Sequence, residues 1–207
     1  MSNKKVVLVG FSGHGIVVAD AALEQGLEVM FYTDKQPVEE NPFNLKYLGF
    51  EADPEFKFWN QEYRYALAIG NNGIRRKTAE TILKRGKELV NIIHPHSFMS
   101  KWVNLGIGVF VNNNAAVNAK VTVGNYCIIN TGSIVDHECR LGDAVHIAPG
   151  AVLAGAVIVG DNTFIGANSV IKEGVRIGKN VVIGAGSVII DDVADNVKIV
   201  GNPGREI

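Results

Sequence analysis

A histidine followed by a glutamate, within Asp136-His137-Glu138-Cys139, is the pair in this chain best suited to proton transfer. Imidazole titrates near neutral pH, and a neighbouring carboxylate can hold its tautomer and raise its basicity. A second histidine, His146, follows nine residues later in Ala144-Val145-His146. Nearer the start, Gly10-Phe11-Ser12-Gly13-His14-Gly15 is a glycine-rich turn opening onto a helical pattern. Such a turn offers free N–H groups and a positive helix end to a phosphate. Asp34-Lys35 follows the next apolar run, where an acidic residue can meet a ribose hydroxyl. The glycine spacing is G-x-x-G-x-G, not the dinucleotide G-x-G-x-x-G, so no nicotinamide cofactor is expected. Plainer readings stand beside these: the loop as a tight turn, and a lone histidine as inert.

The elements that must position these residues form two patterns. Residues 1–93 alternate strands and helices, which implies a small parallel, Rossmann-like sheet. Strands are expected at Val6–Val9, 29–32, 66–69 and 89–93, with helices over 16–25 and from about 73 to 85. Residues 36–62 read as irregular, rich in Pro, Asn and aromatics. Ligands of such sheets bind beyond the carboxyl ends of the strands, where the loops at 10–15, 34–35 and 70–73 fall.

The second pattern is a six-residue ladder. From residue 105 to 189 every sixth position is a branched aliphatic, among them Val123, Ile129, Val135, Leu141 and Ile147, with no insertion. A second column, two residues ahead, holds nothing bulkier than Val or Cys. Hexapeptide periods belong to parallel β-helices, in which three hexads close one triangular coil. The residue after each aliphatic is mostly Gly, Asn, Asp or Ala, which suits tight turns with positive φ. Residues 94–207 therefore form the second unit. His137 falls at an exposed corner, and His146 lies half a coil away. If both serve one site, that site is shared between subunits, and the chain is an oligomer.

Composition narrows the partners. The chain has 207 residues, 47% hydrophobic, with 20 Lys and Arg against 21 Asp and Glu. That balance gives no basic footprint for nucleic acid, and no stretch approaches a membrane span. Cys127 and Cys139 fall in the small inward column and read as reduced core residues of a cytoplasmic protein. The start, Lys4-Lys5 before Val6–Val9, mimics a signal peptide, but Gly10, Gly13 and Gly15 interrupt the apolar run too early. Within the ladder only His137 and His146 are histidines, short of the three that a zinc hydratase site needs, so no metal is expected.

The glycine loop, Ile69-Gly70-Asn71-Asn72, Asn130-Thr131-Gly132, Asp136-His137-Glu138-Cys139 and Gly201-Asn202-Pro203-Gly204-Arg205 together resemble one family. It is the NeuD/PglD-like group of sugar O- and N-acetyltransferases, and the resemblance covers nearly the whole chain. It implies a homotrimer of left-handed parallel β-helices, with acetyl-CoA in grooves between subunits. It also implies a nucleotide-linked 4-amino-sugar as acceptor, its nucleotide held by the first unit. By motif, His137 resembles the general base and Glu138 the residue that enhances its basicity. His146 matches a histidine near the thioester. Gly155, Ala167 and Ala185 fall where main-chain groups meet the cofactor. Gly13 and His14 match the nucleotide-sugar loop, and Asp34 with Lys35 the uracil and ribose contacts. The family's second loop often carries paired acidic residues, whereas this chain has Asp34-Lys35. The terminal segment around Gly201 resembles one that closes over the cofactor. Sialic acid O-acetylation and a non-enzymatic nucleotide-sugar scaffold are the alternatives.

Overall fold

The computed structural model describes residues 5–207; the basic start at residues 1–4 lies outside them. The first unit is built on β1 (Val6–Val9), β2 (Val29–Thr33), β3 (Lys46–Tyr47), β4 (Arg64–Leu67) and β5 (Glu88–Leu89), with α1 (Gly13–Glu24) and α2 (Asn72–Lys84) between them. The strands run parallel in the order β3-β2-β1-β4-β5. β1 is central and buried on both faces, which explains its unbroken apolar run. Its alternate residues serve two cores. Val6 and Leu8 join the α1 residues Val18, Ala19, Ala21 and Ala22, while Val7 and Val9 join Ala79 and Ile82 of α2.

Three expectations shift; the third strand expected, over 66–69, runs instead over Arg64–Leu67. α1 begins at Gly13 rather than at 16, because the chain turns directly from an extended Ser12. The strand expected over 89–93 divides: Glu88–Leu89 pairs with β4, whereas Ile92–Ile93 pairs with Phe110–Val111, already part of the coil.

The coil is a left-handed parallel β-helix of three sheets. One face runs from Phe98–Met99 to Val188–Ile189, a second from Asn104–Leu105 to Arg176–Ile177, and a third from Ile92–Ile93 to Arg205–Glu206. Rungs repeat every 18 residues, as in the pairs Val123 with Leu141, Val135 with Leu153 and Ile147 with Ile165. The aliphatic ladder and the small column fill one continuous interior. The third face carries Ile92, Phe110 and Ile128, which pack into the α1 core and seat the first unit against the coil. After Ile189 the repeat shortens, and Ile177 bridges to Val193 and Val182 pairs with Lys198, 16 residues on.

The corners differ from expectation in one respect. Left-handed backbone does not fall on the residue after each aliphatic but two positions further on, at residues such as Gly132, Glu138, Ala144, Gly150 and Ala156. The residue directly after the aliphatic is small for another reason. A Cβ on Gly124 would lie 2.6 Å from the Gly142 backbone of the next rung, so stacking distance, not φ, excludes a side chain. Among the described residues, no helix is long and apolar enough to cross a membrane.

Candidate active site

Three places gather the polar residues, and the first is a cavity of about 640 Å³ beyond the carboxyl ends of β1, β2 and β4. Gly10, Ser12, Asp34, Lys35, Glu51, Gly70 and Asn71 line it. The open end of a parallel sheet is where such a pocket belongs. Gly10 has φ +90, and a Cβ there would meet Ile69 at 2.9 Å, so the loop needs glycine to pass close to β4. Asp34 braces that loop: its Oδ2 accepts the Phe11 N–H at 2.7 Å and its Oδ1 the Lys35 N–H at 2.7 Å. Gly13, exposed in the first turn of α1, is not in the lining, and neither is His14.

His14 points the other way, into the second place, the seam between α1, α2 and the coil. Its ring stands edge-on to Phe110 with centroids 5.6 Å apart, and lies 6.2 Å from the ring of His146. His146 sits on the third face, 8% exposed, edge-on to Phe164 at 5.0 Å, with its Nε2 3.4 Å from the Asn130 amide nitrogen. Burial and then the Arg75 charge lower the pKa of His14 to about 4. Burial, Arg75 and His14 in turn lower that of His146 to about 3, against a small opposing effect of the Gly70 backbone. Both rings are neutral at pH 7. A second cavity, about 510 Å³, opens beside them between Gly70, Asn72, Phe164 and Val182. Gly70 and Asn71 line both cavities, so the two abut at that loop.

Arg75 holds this seam together. Its guanidinium is buried at 1% exposure and donates to the carbonyls of Tyr126 at 2.7 Å, Ile69 at 3.1 Å, Gly70 at 2.9 Å and Ala144 at 3.0 Å, and to Asn72 Oδ1 at 3.0 Å. Asn72 in turn donates to the carbonyls of Asn162 and Thr163. The loop between β4 and α2 and the start of α2 are thereby tied to three successive rungs of the coil. Arg75 carried no signal in the sequence, because an arginine early in a helix ordinarily faces water.

The third place is the corner after Ile134–Val135. His137 is 59% exposed, and its Nδ1 lies 3.4 Å from Glu138 Oε2, an orienting contact. Glu138 has φ +62, and its other oxygen lies 3.6 Å from Lys120 Nζ. Asp136 accepts both the His137 N–H at 2.7 Å and the Asn118 amide at 2.8 Å, and those bonds hold its carboxyl below the usual range. Gly155 lies under the imidazole on the next rung: a Cβ there would be 2.5 Å from His137 Cε1. Ala167 and Ala185 stack on a different corner, between the third face and the first. Among the described residues, the N–H groups of Gly155, Ala167 and Ala185 donate to no backbone carbonyl. Within one chain, then, His137 with Gly155 and His146 with the two alanines occupy separate sides of the prism.

The comparisons with known proteins agree along the whole length. The family described as PglD N-terminal domain matches residues 5–82, and that described as hexapeptide repeat of succinyl-transferase matches residues 156–190. A histidine-to-asparagine variant of perosamine N-acetyltransferase from Caulobacter crescentus, in complex with CoA and GDP-perosamine, is 35% identical. It superposes with a TM-score of 0.92 over 98% of this chain and 96% of its own. The acetyltransferase domain of PglB from Neisseria gonorrhoeae, in complex with acetyl coenzyme A, is 31% identical, with a TM-score of 0.91 over 100% of both chains. WeeI from Acinetobacter baumannii, 24% identical with a TM-score of 0.89 over 99% of this chain and 100% of its own, shares the fold. With a shared fold and about one-third identity end to end, this chain belongs to the NeuD/PglD-like family of acetyl-CoA-dependent sugar acetyltransferases.

Proposed function

We propose that this protein transfers the acetyl group of acetyl-CoA to the 4-amino group of a nucleotide-linked amino-deoxy sugar. Residues 1–93 hold the nucleotide, and residues 94–207 carry the transfer. The observation that carries the reading is the meeting of the two cavities at Gly70 and Asn71. A nucleotide bound against Gly10, Asp34 and Lys35 directs its sugar past that loop toward His146. Gly13 and His14, at the start of α1, supply the contacts on that side, with His14 turned toward His146.

The chemistry divides between two subunits. The outward residues of the first face, Phe98, Ala116, Ile134, Val152, Val170 and Val188, form an apolar column. Phe98 is 59%, Ile134 39% and Val170 40% exposed. The matching column of the second face, Asn104, Thr122, Arg140, Ile158 and Arg176, is mainly polar. The apolar column supports a homotrimer, packed so that the His137 corner of one subunit approaches the His146 side of its neighbour. Acetyl-CoA then lies in the groove, with the free N–H groups of Gly155, Ala167 and Ala185 as donors to its amide arm. The amine attacks the thioester carbonyl, His137 takes its proton, oriented by Glu138, and the CoA thiolate leaves. Neutral His146 can donate its ring N–H to the developing oxyanion. No covalent enzyme intermediate and no metal enter these steps. The work is done in the cytoplasm, where acetyl-CoA is made available.

A CoA-release assay over nucleotide-linked 4-amino-sugars, with free sialic acid as hydroxyl control, tests the acceptor class. Activity confined to sialic acid would replace N- by O-acetylation. His137→Ala is expected to lower kcat by about 10²–10⁴-fold with the trimer intact. A fully active, folded variant would remove His137 from the base role.

A further inference from the structure

The first cavity holds a carboxylate that neither the fold nor acetyl transfer uses. Glu51, in the segment after β3, lines that cavity and is 6% exposed. Among the described residues its Oε2 has no hydrogen-bond partner. The Thr33 hydroxyl lies near it, yet is also without a formed hydrogen bond. Burial foremost pushes the Glu51 carboxyl above its usual range, its own backbone and Thr33 pull the other way, and the Asp34 charge adds to the rise. A buried carboxylate with an orphaned oxygen is costly unless a ligand supplies the donor. The neighbouring acid cannot be that ligand's main partner in the same way, because both Asp34 oxygens already accept loop N–H groups.

Nucleobases differ in what they offer a carboxylate. Guanine presents two adjacent donors, N1–H and the N2 amino group, matched to two carboxylate oxygens. Uracil presents a single N–H between two carbonyls, which a carboxylate repels. Adenine and cytosine place an amino group beside a ring acceptor, so one oxygen is always mismatched. Phe50, Ala52 and Ile74 give the same cavity apolar walls suited to a flat base, while Gly10 and Ser12 stand at the loop suited to phosphate.

The geometry points to Glu51 as the base-selecting residue, its carboxylate accepting the paired N–H donors of guanine, so that the acceptor sugar arrives as a guanosine diphosphate conjugate. This rests on the nucleotide-sugar reading of the cavity.

The test is calorimetric titration of the full-length protein with GDP, IDP and UDP, without acetyl-CoA. GDP is expected to bind about tenfold or more tightly than UDP, and also than IDP, which lacks the N2 amino group. Glu51→Gln keeps the side chain's shape; it should weaken GDP about tenfold and bring it level with IDP, with UDP unchanged. Equal affinity for GDP and IDP in the unaltered protein, tighter binding of UDP, or a GDP preference that survives Glu51→Gln would each overturn the assignment. Should the variant not fold, the GDP–IDP comparison in the unaltered protein decides alone. Binding of none of the three overturns the nucleotide reading beneath it, whereas a UDP preference overturns Glu51 only.

Discussion

The imidazole of His137 is held from three sides: Asp136 fixes its backbone, Glu138 approaches Nδ1, and the bare backbone of Gly155 makes room beneath the ring. Gly155→Ala should therefore act on catalysis before it acts on folding. Its methyl would overlap the ring, and an exposed side chain yields by rotating away from the productive pose. The expected result is a fall in kcat of about tenfold or more, since a displacement near 1 Å at a reacting group can cost about 10²-fold. Melting temperature should change little; steady-state kinetics beside thermal denaturation checks both. The exposed corner position of His137 was legible in the sequence, because it follows an inward Val135 among turn residues, whereas the burial of His146 beneath the first unit was not. Nor were Arg75 and Glu51, because their meaning lies in what surrounds them. Nothing local distinguishes Arg75, with its four carbonyl partners, from Arg76, whose partners are Glu80 and Asp161.

At the scale of elements, the ladder was readable because its period is covalent: every sixth residue must return to the interior, and a misplaced one would disrupt the stack. The first unit was readable in type but not in its ends. Its last expected strand, over 89–93, joined two short apolar pairs that belong to different sheets, and no sequence pattern distinguishes them. The corners were misread for a related reason. Glycine after each aliphatic has two possible causes, positive φ and close stacking, and composition cannot choose between them. The structure chooses stacking at Gly124, and a substitution separates the causes. Gly124→Ala keeps an ordinary φ, yet its methyl would meet the Gly142 backbone at 2.6 Å, where no flexible side chain can yield. Destabilisation of about 1–3 kcal/mol is expected, read from denaturant melts. A melt equal to that of the parent would mean that the rungs separate at no cost.

In the proposed mechanism His137 and His146 meet across an interface, and that makes assembly and activity one quantity. Ile134→Asp together with Val170→Asp places two charges on the apolar column; the expected outcome is monomers in sedimentation and loss of acetyl transfer, with the first cavity's nucleotide binding kept. Retained trimers would put the interface on another face. The seam inside each subunit makes a separate demand, set by two buried neutral histidines. In the unfolded chain each titrates near 6.5, whereas in the folded chain His14 does so at about 4 and His146 at about 3. Above pH 6.5 both states are neutral, and these rings give stability no slope. As pH falls below 6.5 the unfolded chain takes up protons that the folded one refuses, so stability declines until the folded values are reached. The slope is at most about 1.4 kcal/mol per pH unit for each ring. Denaturant unfolding at pH 7, 6 and 5 should show stability dropping step by step. His146→Gln, neutral at every pH, should flatten part of the decline. A stability profile level from pH 7 to 5 would mean that water and protons reach the seam freely. In that case His146 could not be counted on as a neutral N–H donor at the site.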